Sequence, residues 1–387
     1  MIHPELIQQE YGFLGEEIHV NACSVGVPPM RTQQAASSFM QQYLPMVMDS
    51  CNIGFGWLRD KVRAQLARLI GAEHPQEIAF TKNTTEGTAA LAWGYPLGPG
   101  DNVVVADLEN PSNLFPWVCA AKQKGFKVRV IPTEGRGVSL AQYLEKIDGH
   151  TRLVAVSAVQ AGSGARVDLP ALGRYCRERG IVLSVDAIQG LGRLVVDVQE
   201  CCIDFLTCGG FKALGAGFGV GFVYCSNALA PKVHPLCAGD GCTVEELFAP
   251  EVYKPEMELH FIEDAGRFEG GSSNTMGIWL LHHSLLLQEE AGRETIQQHV
   301  LALERCLRGK LEGCGLDVLP SGDLPSGMVV AWYPKQHYEQ AEDILKAHRI
   351  HMTHHEGYLR LSLAMHNTEQ QMDVIAHALR QIGALGA

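Results

Sequence analysis

Between residues 77 and 225 the chain alternates short apolar, β-rich runs with longer amphipathic stretches, and few folds accommodate that rhythm. The runs are Glu77–Phe80, Val103–Ala106, Lys127–Ile131, Leu153–Ala158, Val182–Val185, Phe205–Cys208 and Gly219–Cys225. Helix-like pieces lie between them, such as Leu169–Arg179, which follows a cap at Asp168 and stops near Gly180. Strands and helices taking turns predict an α/β fold with a mainly parallel sheet covered on both faces. Ligands of such sheets bind beyond the carboxyl ends of the strands, so chemistry is expected in the loops after each run. Beyond residue 286 the character changes. Residues 291–313 read as one long helix, followed by short strands and a last helix near Thr368–Ile382. The expected division is a large domain over 19–286 and a small α+β domain over 287–387, joined by 1–18.

With 46% hydrophobic and 19% charged residues, the 387-residue chain has the composition of an ordinary globular protein rather than a disordered one. Its net charge of −12 is spread along the sequence, and no Lys/Arg run points to nucleic acid or an anionic membrane surface. Neither a basic leader nor an apolar h-region opens the sequence, and no run approaches the roughly 20 apolar residues of a membrane helix. The twelve cysteines sit at irregular spacings that fit no common zinc pattern, so no metal is expected. A cytoplasmic protein with reduced thiols is the expectation.

Three loops carry the chemistry. The first follows Phe80 with Thr-Lys-Asn83-Thr84-Thr85-Glu-Gly, where backbone N–H groups at a helix start and two hydroxyls suit a phosphate; an empty helix cap fits as well. The second is Leu183-Ser-Val-Asp186-Ala-Ile-Gln189. A carboxylate at the mouth of a buried strand needs a cationic partner, although a structural aspartate capping a turn remains open. The third, Thr207-Cys-Gly-Gly-Phe211-Lys212-Ala-Leu-Gly-Ala-Gly, puts one lysine in an apolar, Gly-rich loop. Low charge density there favours the depressed lysine pKa that imine chemistry needs.

Together these loops resemble the pyridoxal-phosphate (PLP) enzymes of aminotransferase class V, which include cysteine desulfurases, selenocysteine lyases and isopenicillin-N epimerases. The resemblance runs from Asn21-Ala22 to Arg360-Leu-Ser-Leu, and the pattern Asp186-x-x-Gln189 followed by Lys212 carries it. It implies fold type I with a seven-stranded sheet, and a homodimer with its sites at the interface. Lys212 would form the cofactor aldimine and move the Cα proton, and Asp186 would keep the pyridine nitrogen charged. Gln189 and Gln160 would partner the phenolic oxygen, and Asn110 would lie over the ring. Thr84 and Thr85 would bind phosphate, helped by Ser272 from a second subunit. Ala22 would line the substrate site, and Arg360 would grip the α-carboxylate of a small amino acid. Asn113 and Trp117 continue the match.

The desulfurase branch keeps a catalytic cysteine before that arginine. Here the stretch reads His351-Met-Thr-His-His-Glu-Gly-Tyr-Leu-Arg360, without one. Gly209 and Phe211 replace the usual serine and histidine before the lysine, and Asn110 replaces the ring-stacking histidine. The expected reaction is therefore C–S lysis of a cysteine-like amino acid by Cα deprotonation and β-elimination, without a catalytic cysteine. Transamination is the alternative, then epimerisation.

Overall fold

A computed structural model of the chain describes residues 2–48, 56–133, 137–239, 241–244, 258–320 and 324–386; Met1, Cys51 and Ala387 lie outside them. Its strands are β1 (Ile18–His19), β2 (Ile78–Thr81), β3 (Asn102–Ala106), β4 (Lys127–Ile131), β5 (Thr151–Ser157), β6 (Val182–Asp186), β7 (Phe205–Gly209) and β8 (Gly221–Cys225). They continue with β9 (Asp317–Val318), β10 (Met328–Trp332), β11 (Ile350–His351), β12 (Thr353–His355) and β13 (Tyr358–Ser362). A seven-stranded sheet has the order β2-β8-β7-β6-β5-β3-β4. Its ladders from β4 to β7 are parallel, and β8 runs against both its neighbours. The expected mainly parallel seven-stranded sheet is what forms, each predicted run lying within two residues of its strand.

The apolar runs are nearly continuous because both faces of the sheet are covered. Val104, Val154 and Val156 join the apolar cluster on one face, while Val103, Val105, Leu153 and Ala155 join that on the other. Alternation of side chains along a strand sends neighbours to opposite clusters.

A third cluster joins Ile2, Tyr11, Ile18 and Val20 of the N-terminal segment to Ile296, Val300, Leu303 and Leu307. The latter four lie on one face of helix Arg293–Lys310, and Val329, Leu359 and Leu361 of the four-stranded sheet β12-β13-β10-β9 complete the cluster. The long helix expected over 291–313 forms over Arg293–Lys310. One helix ends at Ala291 and a second begins at Arg293, because Gly292 sits at φ +78°, which helical residues do not adopt. Among the described residues no helix is long and apolar enough to cross a membrane, and no cluster of His, Cys, Asp or Glu is placed to hold a metal.

Candidate active site

The carboxyl ends of β5, β6 and β7 meet at one level: Ser157 pairs with Asp186, and Asp186 with Thr207. Asp186 is buried. Its Oδ1 accepts a hydrogen bond from the Ile188 amide at 3.0 Å, while Oδ2 has no partner within the chain. Burial pushes its pKa up to about 7, against the opposing pull of the Ile188 amide and the Lys212 ammonium. Lys212, on the turn after β7, is 9% exposed; burial lowers its pKa, and Asp186 and Cys23 partly restore it while Arg360 lowers it further. Strand ends, lysine and arginine thus share one electrostatic neighbourhood.

The N-terminal segment closes this turn. Gly26 N–H donates to the Phe211 carbonyl at 3.0 Å, and a Cβ on Gly26 would stand 1.9 Å from the Lys212 carbonyl oxygen. Only glycine allows that approach. Ala22 is buried just before it, and the Cys23 amide donates to Ser362 Oγ at 2.8 Å. Gln189 donates from Nε2 to the Cys23 carbonyl at 3.2 Å, leaving its Oε1 without a partner.

Arg360, on β13, reaches the same region from the small sheet. Its Nη1 donates to the Ala161 carbonyl at 2.5 Å, and its Nη2 to Ser24 Oγ and Thr353 Oγ1 at 2.8 and 2.9 Å. Its buried Nε has no partner, and among the described residues no carboxylate pairs with the guanidinium. Helix Thr84–Gly94 brings Thr84 to the end of the sheet. Gly87 makes this possible, because a Cβ there would meet Val223 and Thr207 side chains at 2.6 and 2.9 Å. Thr84 Oγ1 is buried without a partner, whereas Thr85 is exposed. Asn110 caps helix Pro111–Lys124, its Oδ1 accepting from Ser112 N and Oγ. Asn113 and Trp117 are buried in that helix. Ser272 is exposed and lines a cleft of about 420 Å³ with Phe80, Lys82 and Glu86; Lys212, Asp186 and Arg360 do not line it.

Two residues of this region escape a reading of the sequence. Arg193 is fully buried and donates from Nη1 to Cys23 Sγ at 3.2 Å and to the Gln189 carbonyl at 3.0 Å. It also donates to the Leu363 and Ser326 carbonyls at 2.6 and 2.9 Å. Glu109 is a buried carboxylate holding Gln160 and Asn113. An acidic residue in the strand-end loop beside Asn110 was the available signal for the second. The first leaves none, because the Cys23 thiol and the Leu363 and Ser326 carbonyls it bonds come from distant segments.

Buried polar atoms normally find partners. Asp186 Oδ2, Gln189 Oε1, Gln160 Oε1 and Thr84 Oγ1 do not. A ligand with a protonated ring nitrogen, a phenolic group and a phosphate would meet Asp186 Oδ2, one of the two glutamine oxygens and Thr84 Oγ1, beside a buried lysine of lowered pKa. These residues fit pyridoxal phosphate.

The family model for Aminotransferase class-V matches residues 55–375. A probable cysteine desulfurase of Methanothermobacter thermautotrophicus is 26% identical, over 99% of this chain and 98% of its own. The cysteine desulfurase of Thermococcus onnurineus has the same fold, with a TM-score of 0.86 at 23% identity, covering 99% of each chain. A cystine C–S lyase superposes with a TM-score of 0.85 at 19% identity, over 96% of this chain and 100% of its own. The sheet order, the lysine turn beside the buried aspartate and the match over most of the sequence lead to one conclusion: the chain belongs to the aminotransferase class V family and is a desulfurase-like, PLP-dependent enzyme.

Proposed function

We propose that this enzyme is a C–S lyase acting on a small, cysteine-like α-amino acid by Cα deprotonation and β-elimination, without a catalytic cysteine. The observation that carries the reading is the β12–β13 hairpin. Its ladder pairs Thr353 with Arg360 and His355 with Tyr358, which leaves Glu356 and Gly357 as a two-residue turn, and no thiol lies from His351 to Arg360. The paired histidines turn elsewhere, with His354 stacked on Tyr338 at 4.5 Å and bonded to Tyr333 Oη at 2.5 Å.

Bound pyridoxal phosphate supplies a ring that takes up the electron pair left at Cα. Asp186 Oδ2 would hold the ring nitrogen's proton, Gln189 and Gln160 the phenolic edge, and Asn110 would lie over the ring. Thr84, Thr85 and the amides of their helix would hold the phosphate. Lys212 Nζ, its charged form disfavoured by burial, would accept the Cα proton. Arg360 grips the substrate carboxylate while Ser24, Thr353 and Ala161 fix the plane of its fork, and Ala22 lines the space beside it. The Cβ–S bond then breaks with its electron pair leaving on sulfur, and the three-carbon remainder hydrolyses to pyruvate and ammonia. The relative named a probable cysteine desulfurase supports a cysteine-like substrate.

The reading includes a cytoplasmic homodimer, and a division into residues 19–286 and 287–387 with 1–18. Separate apolar clusters support the division. Exposed Met40, Leu44, Trp57, Phe218 and Met276 support a covered surface, and Ser272, outside the lysine neighbourhood of its own chain, would serve the phosphate of the second subunit.

Incubating the enzyme with an amino-acid panel and assaying pyruvate, sulfide, ammonia, alanine and keto acids together tests the outcome. Cys23→Ala and Cys242→Ala should each keep a large share of activity, with pyruvate formed from a cysteine-type substrate. Stoichiometric alanine, with a persulfide trapped on Cys23, would instead establish desulfurase chemistry on a relocated thiol. Keto-acid formation dependent on an amino acceptor, without pyruvate, would establish transamination. Arg360→Lys keeps a charge but loses the two-pronged contact. KM for amino acids should rise roughly tenfold or more, as expected for a charged hydrogen bond of about 1.5–3 kcal/mol. Amines lacking the carboxylate should respond little; equal responses would make Arg360 structural.

A further inference from the structure

Glu109 lies three residues beyond β3, is buried, and among the described residues has no basic partner. Four donors converge on its carboxylate. Oε1 accepts from the Ser157 amide at 2.8 Å and from Gln160 Nε2 at 2.6 Å. Oε2 accepts from Ser157 Oγ at 2.5 Å and Asn113 Nδ2 at 2.8 Å. Ser157 is in turn the ladder partner of Asp186. Burying a carboxylate without a cation costs free energy unless its lone pairs are filled, and here they are filled.

The arrangement constrains the Gln160 amide. Ser157 N–H is a backbone donor and cannot turn round, so the Glu109 atom facing it must be an acceptor. Gln160 shares that acceptor and must therefore point its NH2 at Glu109, which leaves Oε1 as the buried atom without a partner. The geometry points to Glu109 as the positioning residue that makes Gln160 present its amide oxygen, and not its NH2, to the phenolic edge of the cofactor. This inference rests on Gln160 being a cofactor partner. An acceptor at that edge favours the protonated form of the bound chromophore, whereas a freed amide that turned its NH2 inward would favour the deprotonated form.

The readout is the visible-absorption pH titration of the PLP-loaded enzyme, with no substrate present. Lys212, Asp186, Cys23, Cys208 and Arg360 stay in every variant, so the one site charge that changes is that of Glu109, which itself raises the pKa of Asp186. Glu109→Ala frees Gln160, and the chromophore pKa should fall by about one unit, the equivalent of about 1.4 kcal/mol. In a Gln160→Leu background the same substitution should do nothing further, because Glu109 acts through that amide. Glu109→Gln tests the charge separately. Its amide oxygen can serve Ser157 N–H and Gln160 together while its NH2 meets Ser157 Oγ and a turned-over Asn113, whose Oδ1 has no partner at present. The chromophore pKa should then stay at the wild-type value.

A shift of equal size in Glu109→Gln would show a field effect of the carboxylate and overturn the inference. So would an undiminished Glu109→Ala shift in the Gln160→Leu background, or no shift at all in loaded Glu109→Ala. Should Glu109→Ala fail to fold, Glu109→Leu takes its place, with the same expected fall and the same Gln160→Leu background. If wild-type protein given PLP shows no visible band, the cofactor reading has failed, which is a different result.

Discussion

Asp186→Asn should exchange the Cα proton of a substrate amino acid for deuterium roughly 10²–10³-fold more slowly than wild type while still binding PLP. On the proposed reading this buried carboxylate keeps the ring nitrogen charged, and its Oδ2 has no partner within the chain. An amide cannot hold the charged form, so several kcal/mol of stabilisation are lost, at about 1.4 kcal/mol per tenfold in rate. Exchange at the wild-type rate would remove Asp186 from the mechanism. Cofactor-free protein offers a second readout. Its folded-state pKa of about 7 lies above the ordinary value of 3.8, so the folded protein holds this proton more tightly than the unfolded chain. Stability is then unaffected below about pH 4, declines as pH rises through about 7, and is flat above. Cofactor-free Asp186→Asn should therefore melt higher than wild type at pH 8, with the gap closing near pH 4. A gap independent of pH would show that the carboxyl is not titrating in this window.

Lys212 should carry the cofactor covalently. Borohydride reduction of the yellow, PLP-loaded protein should place the phosphopyridoxyl group on the peptide containing Lys212. Lys212→Ala should show no such adduct and lose turnover by about 10³-fold or more, in the range lost with a general base. Its position supports this. The lysine is buried, its charge is disfavoured, and the backbone beside it is pinned by the Gly26 amide, so Nζ works from a fixed base. An adduct mapped to another lysine, or full activity in Lys212→Ala, would overturn it.

Much of the architecture was legible in the sequence because strand burial is written in local composition. The runs beginning at Val103 and Leu153 are apolar at four successive positions, as in a sheet covered on both faces. Lys212 and Asp186 stood out for the same reason, as charged residues in otherwise apolar strand-end loops. Gly292 did not stand out. A single glycine inside a helical pattern costs about 1 kcal/mol, which packing on both sides can override, so the break it makes depended on tertiary context.

What the sequence by itself determined is therefore the order of strands and helices and the residue types available at each strand end. Only the tertiary structure decided which groups are left without partners. Gln160 is an ordinary glutamine until Glu109, 51 positions earlier, takes its NH2. On the proposed reading Arg360 can grip a carboxylate because Ser24 and Thr353 hold its Nη2, the Ala161 carbonyl holds its Nη1, and among the described residues no acid reaches it. Cys23 meets a buried arginine 170 positions away. Hydrogen bonding is directional and short-ranged, so satisfaction is a property of atoms within about 3 Å and not of neighbours in the chain. Burial then makes each unsatisfied atom costly, and that cost marks the place where a ligand belongs.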